Sequence, residues 1–230
     1  MAKLNSPVTV IAIDGPSASG KSTVARETAH ALGFNYVDSG SLYRGLTWKC
    51  LRENTNIDDP QAVVELVRGV NLEFFVEEGA VRFNLDGEDP GAQVRSMAVQ
   101  ERVSDVAAIQ EVRTMVVQHL RNTARFGSLV MEGRDIGTVV FPDTPFKFYL
   151  DADPEERARR RHQELVQSAS DTTVDNVLAS LQRRDRKDST RKAAPLQIAL
   201  GARVIDSTAM QVEQVVQLVI EQVKAAGIAP

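Results

Sequence analysis

The eight residues Gly15-Pro16-Ser17-Ala18-Ser19-Gly20-Lys21-Ser22 constrain the fold of this chain more than any other segment. They match a glycine, four free positions, then Gly-Lys-Ser, and they follow directly on the apolar, β-branched run of residues 8–13. Average residue usage gives roughly one accidental match per hundred chains of this length. The context is what carries the reading: a strand enters the loop and a helix leaves it. In that setting successive backbone N–H groups turn inward, and the helix N-terminus behind them adds partial positive charge. The result is a cradle for phosphate oxygens, with Lys21 in reach of the β and γ oxygens of a triphosphate and the Ser22 hydroxyl suited to Mg²⁺.

Such a loop needs a parallel sheet behind it, and the rest of the chain supplies one. Residues 8–13 read as a buried strand, and residues 21–32 as a helix closed by Gly33. Further strands are predicted at residues 34–37, 128–131, 146–150 and 203–205. Helical segments between them imply an α/β fold, a five-stranded parallel sheet covered on both faces. One stretch breaks the rhythm. Leu72, Phe74 and Val76, then Val81, Phe83 and Leu85, alternate with polar residues on either side of a Gly-containing turn. That is the pattern of a β-hairpin, read here as a small antiparallel patch inserted between the second and third core strands. Residues 96–125 have helical spacing throughout, and residues 154–165 form a helix start crowded with Arg157, Arg159, Arg160 and Arg161. Residues 167–173 are rich in Ser and Thr and read as mobile. Residues 211–225 form an amphipathic helix whose valines, Val212, Val215, Val216 and Val219, pack on the sheet.

Composition narrows the partners. The net charge of −4 argues against a general nucleic-acid binder. Arginines outnumber lysines 20 to 7, and the planar guanidinium suits repeated phosphate contacts. Cys50 is the only cysteine, so no intramolecular disulfide forms, and its apolar neighbours imply a buried thiol. Residues 8–13 are too short for a membrane span. The expectation is a soluble, cytoplasmic, monomeric protein without membrane or nucleic-acid partners.

A phosphate loop does not name the acceptor. No Asn-Lys-x-Asp or Thr-Lys-x-Asp tetrapeptide is present, as a guanine-specific switch would need. Instead, charged and hydroxyl residues follow two strands: Asp38 to Arg44, and Glu132-Gly133-Arg134-Asp135. Ligands of open parallel sheets bind outside those strand ends, so both clusters can face the phosphate loop. Alone, Arg44 would be a surface residue and Arg134–Asp135 a local ion pair. A third cluster runs from Arg183 to Arg191, and on a helix Arg184, Asp188 and Arg191 share one face. Alone it would be a solvated helix laced by i,i+4 pairs. Together the clusters suit direct phosphoryl transfer between two nucleotides. An acceptor phosphate is already dianionic at neutral pH and needs no general base, only charge cancellation, alignment and exclusion of water. Arg157, Arg160 and Arg161 suit a lid that provides the last of these.

The segments IDGPSASGKST, YVDSGSLYR, LDGEDPGAQVR, MEGRDIGTVVFPD, FYLDADPEERARRR, RRDRKDSTRKAAPL and VIDST resemble those of the bacterial cytidylate kinases of the long form, within the nucleoside monophosphate kinase group. The resemblance covers nearly the whole chain. It implies a P-loop kinase core at residues 1–38 and 101–230, with a mobile lid at about 157–172. Residues 39–100 would form a monophosphate-binding domain carrying the β insertion at about 70–95. Gly15, Pro16, Ser17, Ala18, Ser19, Gly20, Lys21, Ser22 and Thr23 would hold ATP. Arg44, Arg134 and Arg191 would grip the phosphate of CMP or dCMP, with Ser39 close by. Ser104, Arg113 and Asp135 would read the cytosine, and Arg184 and Asp188 would contact the pentose. Lys21, Arg134, Arg157 and Arg160 form the implied catalytic set. Ser22 would ligate Mg²⁺, and Glu132 would order a Mg²⁺-bound water. Two features depart from the family: Glu132 stands where aspartate is expected, and Ser189-Thr190 is less basic than in relatives. A kinase for UMP or another small metabolite, and a non-catalytic ATP-dependent regulator, are the alternative readings.

Overall fold

The computed structural model of the protein describes residues 8–167 and 172–227. At its centre is β1 (Val10–Asp14), four of whose five residues are buried, because both its faces are covered. It pairs in parallel with β5 (Leu129–Gly133) on one side and β6 (Phe146–Asp151) on the other. β2 (Asn35–Asp38) extends the sheet beyond β5, and β7 (Arg203–Asp206) extends it beyond β6, again in parallel. These are the five expected strands, each ending one or two residues further toward the C-terminus.

Side chains of β1 alternate between two cores. Ile11 and Ile13 face α1 (Lys21–Leu32) and α8 (Val212–Ala225), which bury Val24, Leu32, Val219 and Val223 against the sheet. Ala12 faces the other way, toward α2 (Ser39–Arg52), α3 (Pro60–Gly69), α4 (Met97–Val106) and α5 (Gln110–Asn122). Cys50 is fully buried in this second core, and burial pushes its thiol up to about 11.

The structure corrects three expectations. The hairpin, β3 (Leu72–Glu77) and β4 (Ala80–Leu85), is not a separate patch. The Tyr36 N–H donates to the Gly79 carbonyl at 2.8 Å, so β4 joins the edge of β2 and the sheet has seven strands, ordered β3-β4-β2-β5-β1-β6-β7. The helical stretch at residues 96–125 is two helices, broken at Ala107-Ala108-Ile109. The carbonyl freed at Ala107 is taken up by the Arg113 guanidinium at 3.0 Å, a side-chain partner that helical spacing does not report. Arg191 does not share a helix face with Arg184 and Asp188. It follows α7 (Val174–Thr190) with an extended backbone, φ −61° and ψ 142°. The short helix α3 lies outside the expected elements; Asp59 caps it and Pro60 opens it.

Helix α6 (Pro154–Gln167) and α7 form a hairpin with a small core of its own, Ala158, Val177 and Leu181, against which Ala18 of the phosphate loop packs. The segment expected to be mobile falls mostly on residues 168–171, outside the described residues, whereas Thr173 caps α7 through the Asn176 N–H.

Candidate active site

The phosphate loop leaves β1 through Gly15, whose φ is +152°. A Cβ there would lie 2.0 Å from the Leu150 carbonyl oxygen on β6, so only glycine lets the loop pass so close to the sheet. Gly20, at φ +89°, then turns the chain into α1. Lys21 is buried; its ammonium donates to the Pro16 carbonyl at 2.5 Å and the Ser19 hydroxyl at 3.3 Å. Burial, then the nearby Arg134 guanidinium, pull its pKa down to about 7. The Ser22 hydroxyl donates to Glu132 Oε1, which also accepts from the Tyr36 hydroxyl at 3.1 Å.

The loop opens on a cleft of about 810 Å³ at the C-terminal ends of β1, β2 and β5. This is where the sheet's strand order reverses, the expected place for a ligand. All nine residues assigned to the acceptor nucleotide line it: Ser39, Arg44, Ser104, Arg113, Arg134, Asp135, Arg184, Asp188 and Arg191. Asp38 caps α2 through the Ser41 N–H and holds Arg44 at 2.7 Å. Arg113 pairs with Asp135 and lies over the Tyr43 ring, 5.2 Å from its centroid. Arg134 donates to Asp188 at 2.9 Å. Burial pushes the Asp188 carboxyl up, but Arg134 and Arg184 outweigh it and hold the group below its ordinary value. Among the described residues Arg184 has no such anchor, and burial together with Arg134 lowers it to about 10. Ser39 donates to the Glu132 backbone carbonyl at 2.7 Å, which packs α2 against the end of β5.

The arginines of α6 divide. Arg160 lines the cleft and donates to the Ser207 and Thr208 carbonyls at 2.7 and 3.1 Å. Arg161 lines it too and donates to Gln100 on α4 at 2.6 Å. Arg157, expected in the catalytic set, is brought to the loop's outer side instead. It is buried, absent from the cleft lining, and donates to the carbonyls of Ala152 and Ser17 at 3.0 and 3.1 Å and to Asp185 at 2.5 Å. Asp185 in turn accepts from the Ser17 N–H at 3.2 Å. The pair thus grips one phosphate-loop residue by both its backbone groups.

A family model described as cytidylate kinase matches residues 11–225. The chain belongs to the cytidylate kinase family. It is an enzyme, a kinase, like its relatives. The cytidylate kinase of Caldanaerobacter subterraneus subsp. tengcongensis is 45% identical over 93% of this chain and 94% of its own. That of Pelotomaculum thermopropionicum is 45% identical over 94% and 96%. An uncharacterized protein from Eubacterium ventriosum, known from a crystal structure, superposes with a TM-score of 0.50 at 12% identity, over 94% of this chain and 98% of that one. That likeness concerns the fold alone. Among the described residues, no helix is long and apolar enough to cross a membrane.

Several groups of this kinase escaped sequence reasoning. Asp185 stood in a charge run indistinguishable from a solvated helix. The Asp14 carboxylate accepts from the N–H groups of Ile136 and Gly137, both at 2.8 Å, tying the strand before the phosphate loop to the turn after Asp135. Burial raises its pKa to about 6 despite those bonds. Ser207 donates to the Ser19 carbonyl at 3.1 Å, closing the loop's far side. Each contact joins segments far apart in the chain, and no local pattern announces it.

Proposed function

We propose that the enzyme transfers the γ-phosphate of ATP to CMP or dCMP, giving ADP and CDP or dCDP. The observation that carries this reading is a set of buried guanidinium donors facing one cleft. Arg44 Nε, Arg113 Nε, Arg184 Nε and Arg191 Nη2 have no hydrogen-bond partner among the described residues. Buried donors of this kind call for anionic acceptors, and the planar guanidinium fork can donate to two oxygens of one phosphate. They line the same cleft as Lys21 and the loop, which gives two phosphate-bearing ligands a place to meet.

In this reading an oxygen of the CMP phosphate attacks the γ-phosphorus, and the bond from the γ-phosphorus to the β-bridging oxygen breaks. The chain supplies alignment and charge cancellation. Lys21 and the loop N–H groups hold the donor phosphates, while Arg44, Arg134 and Arg191 hold the acceptor phosphate. The α6–α7 hairpin keeps water out, with Arg160 and Arg161 on its inner side, and residues 39–100 contribute Ser39 and Arg44 to the acceptor's site. Asp135 accepts from the cytosine 4-amino group, whereas the uracil 4-carbonyl would oppose its charge.

The residues present fit Mg²⁺. The Ser22 hydroxyl spends its one proton on Glu132, which leaves its lone pairs for a cation. No cluster of three acidic, His or Cys side chains able to hold a metal occurs among the described residues. That suits a hard cation carried largely by substrate phosphates and water. Bound there, Mg²⁺ would supply charge neutralisation on the donor phosphates.

A coupled assay of ADP release across a panel of nucleoside monophosphates, with and without Mg²⁺, tests the proposal. CMP and dCMP should be turned over well ahead of UMP, and Asp135→Ala should narrow that gap without raising the KM for ATP. Equal turnover of CMP and UMP by the wild type would sink the assignment of the base.

A further inference from the structure

Glu132 is the hinge between phosphate loop and sheet, and its carboxylate is held in an uneven way. Oε1 accepts from both Ser22 and Tyr36, while Oε2 has no hydrogen bond among the described residues. The two donors differ in kind. Ser22 belongs to the loop and is the residue suited to the cation. Tyr36 belongs to the rigid sheet: it sits on β2 beside Val130 of β5, only 8% exposed, with the Arg26 guanidinium 5.3 Å from its ring centroid. Glutamate has one more rotatable bond than aspartate, so a carboxylate here needs an anchor independent of the loop. Among the described residues, Tyr36 is the one that supplies it.

We propose that Tyr36 is a positioning residue for the metal–nucleotide site: its hydroxyl locks the Glu132 carboxylate, so that Oε1 orients the Ser22 hydroxyl and Oε2 stays available to water on the cation. This rests on the reading that a Mg²⁺–ATP complex occupies the loop. A hydrogen bond from outside the ligand set fixes orientation and basicity, and losing such a partner costs about 10- to 100-fold in metal affinity or activity.

The test is Tyr36→Phe, which keeps the ring and its packing. Calorimetry measures the affinity of adenylyl-imidodiphosphate with and without Mg²⁺, and the ratio of the two is the metal coupling. The variant should lose about 10-fold in that ratio, with metal-free affinity unchanged and the Mg²⁺ concentration for half-maximal turnover raised by a similar factor. A merely structural tyrosine would lower both affinities together. Glu132→Asp provides a second background: the shorter side chain withdraws from the Tyr36 hydroxyl, so adding Tyr36→Phe should change nothing more. An unchanged ratio, a matching fall in metal-free affinity, or full additivity in the Glu132→Asp background each overturns the proposal. Wild-type turnover of CMP is followed in parallel. Its absence would defeat the proposed reaction while leaving the metal coupling measurable by binding alone.

Discussion

Binding of a triphosphate should draw a proton from solution, because Lys21 is held at a pKa of about 7 in the free protein. At pH 8 such an ammonium is only ~10% protonated. Phosphate oxygens placed against it favour the charged form and return it toward its ordinary value near 10.4. Uptake at pH 8 is therefore about 0.9 proton per site, and it falls to about 0.5 at pH 7. Other groups contribute little at pH 8. Arg184, at about 10, is already charged, and Asp14, at about 6, is already ionised. The terminal phosphate, with a second pKa near 6, has lost its proton as well. The sign follows from linkage: affinity falls nearly tenfold per pH unit above pH 8, because each binding event must recruit a proton that becomes scarcer. The unliganded protein behaves in the opposite sense. Its folded-state lysine binds fewer protons than the unfolded one between pH 7 and the ordinary lysine value, so this group's contribution to stability rises with pH across that window. Calorimetry at pH 8 in two buffers of different ionisation enthalpy gives the proton count directly. Uptake below about 0.3, or affinity that rises from pH 8 to pH 9, would refute the reasoning.

Gly15→Ala should destabilise the chain by about 3 kcal/mol or more and abolish triphosphate binding, since a 2.0 Å approach to the Leu150 carbonyl leaves no room for a methyl group. An unchanged denaturation midpoint would contradict it. Arg157→Met leaves Asp185 and the Ser17 carbonyl without their shared partner, and urea denaturation should register a loss of about 2–3 kcal/mol. Its kcat should fall more than its KM for CMP rises; a variant as stable as wild type would show that the clamp is ornamental.

The parts legible from sequence are those written in neighbouring residues. A β-branched run, a glycine loop and a helix closed by Gly33 specify β1, the phosphate cradle and α1 without reference to the rest of the chain. The strand-end clusters were legible too, because any parallel sheet presents those ends to one crevice. What escaped depends on partners far apart. The hairpin's union with β2 rests on a single residue pair, Tyr36 with Ala80, and nothing in either strand's alternation predicts which edge it will find. The break between α4 and α5 has neither glycine nor proline; it persists because Arg113 satisfies the Ala107 carbonyl. Arg157 looked like its neighbours Arg160 and Arg161, and only tertiary position assigns one to the loop and the others to the cleft.

Four of the cleft's cations form two pairs whose proton affinities shift in opposite directions. Arg113 and Arg134 are raised in spite of burial because Asp135 and Asp188 hold them. Lys21 and Arg184, with no carboxylate in hydrogen-bonding contact among the described residues, are lowered by burial and by Arg134. Paired arginines are oriented before any substrate arrives and need little reorganisation when it does, which is the condition for electrostatic catalysis in a site that excludes water. Unpaired cations stay uncompensated until phosphate charges reach them, so they gain most from binding. Anchoring every cation would have spent its charge on the protein, and anchoring none would have left the arginines to wander. The division leaves Lys21 and Arg184 without a carboxylate partner among the described residues, so a bound anion would raise their proton affinity more than that of the paired arginines.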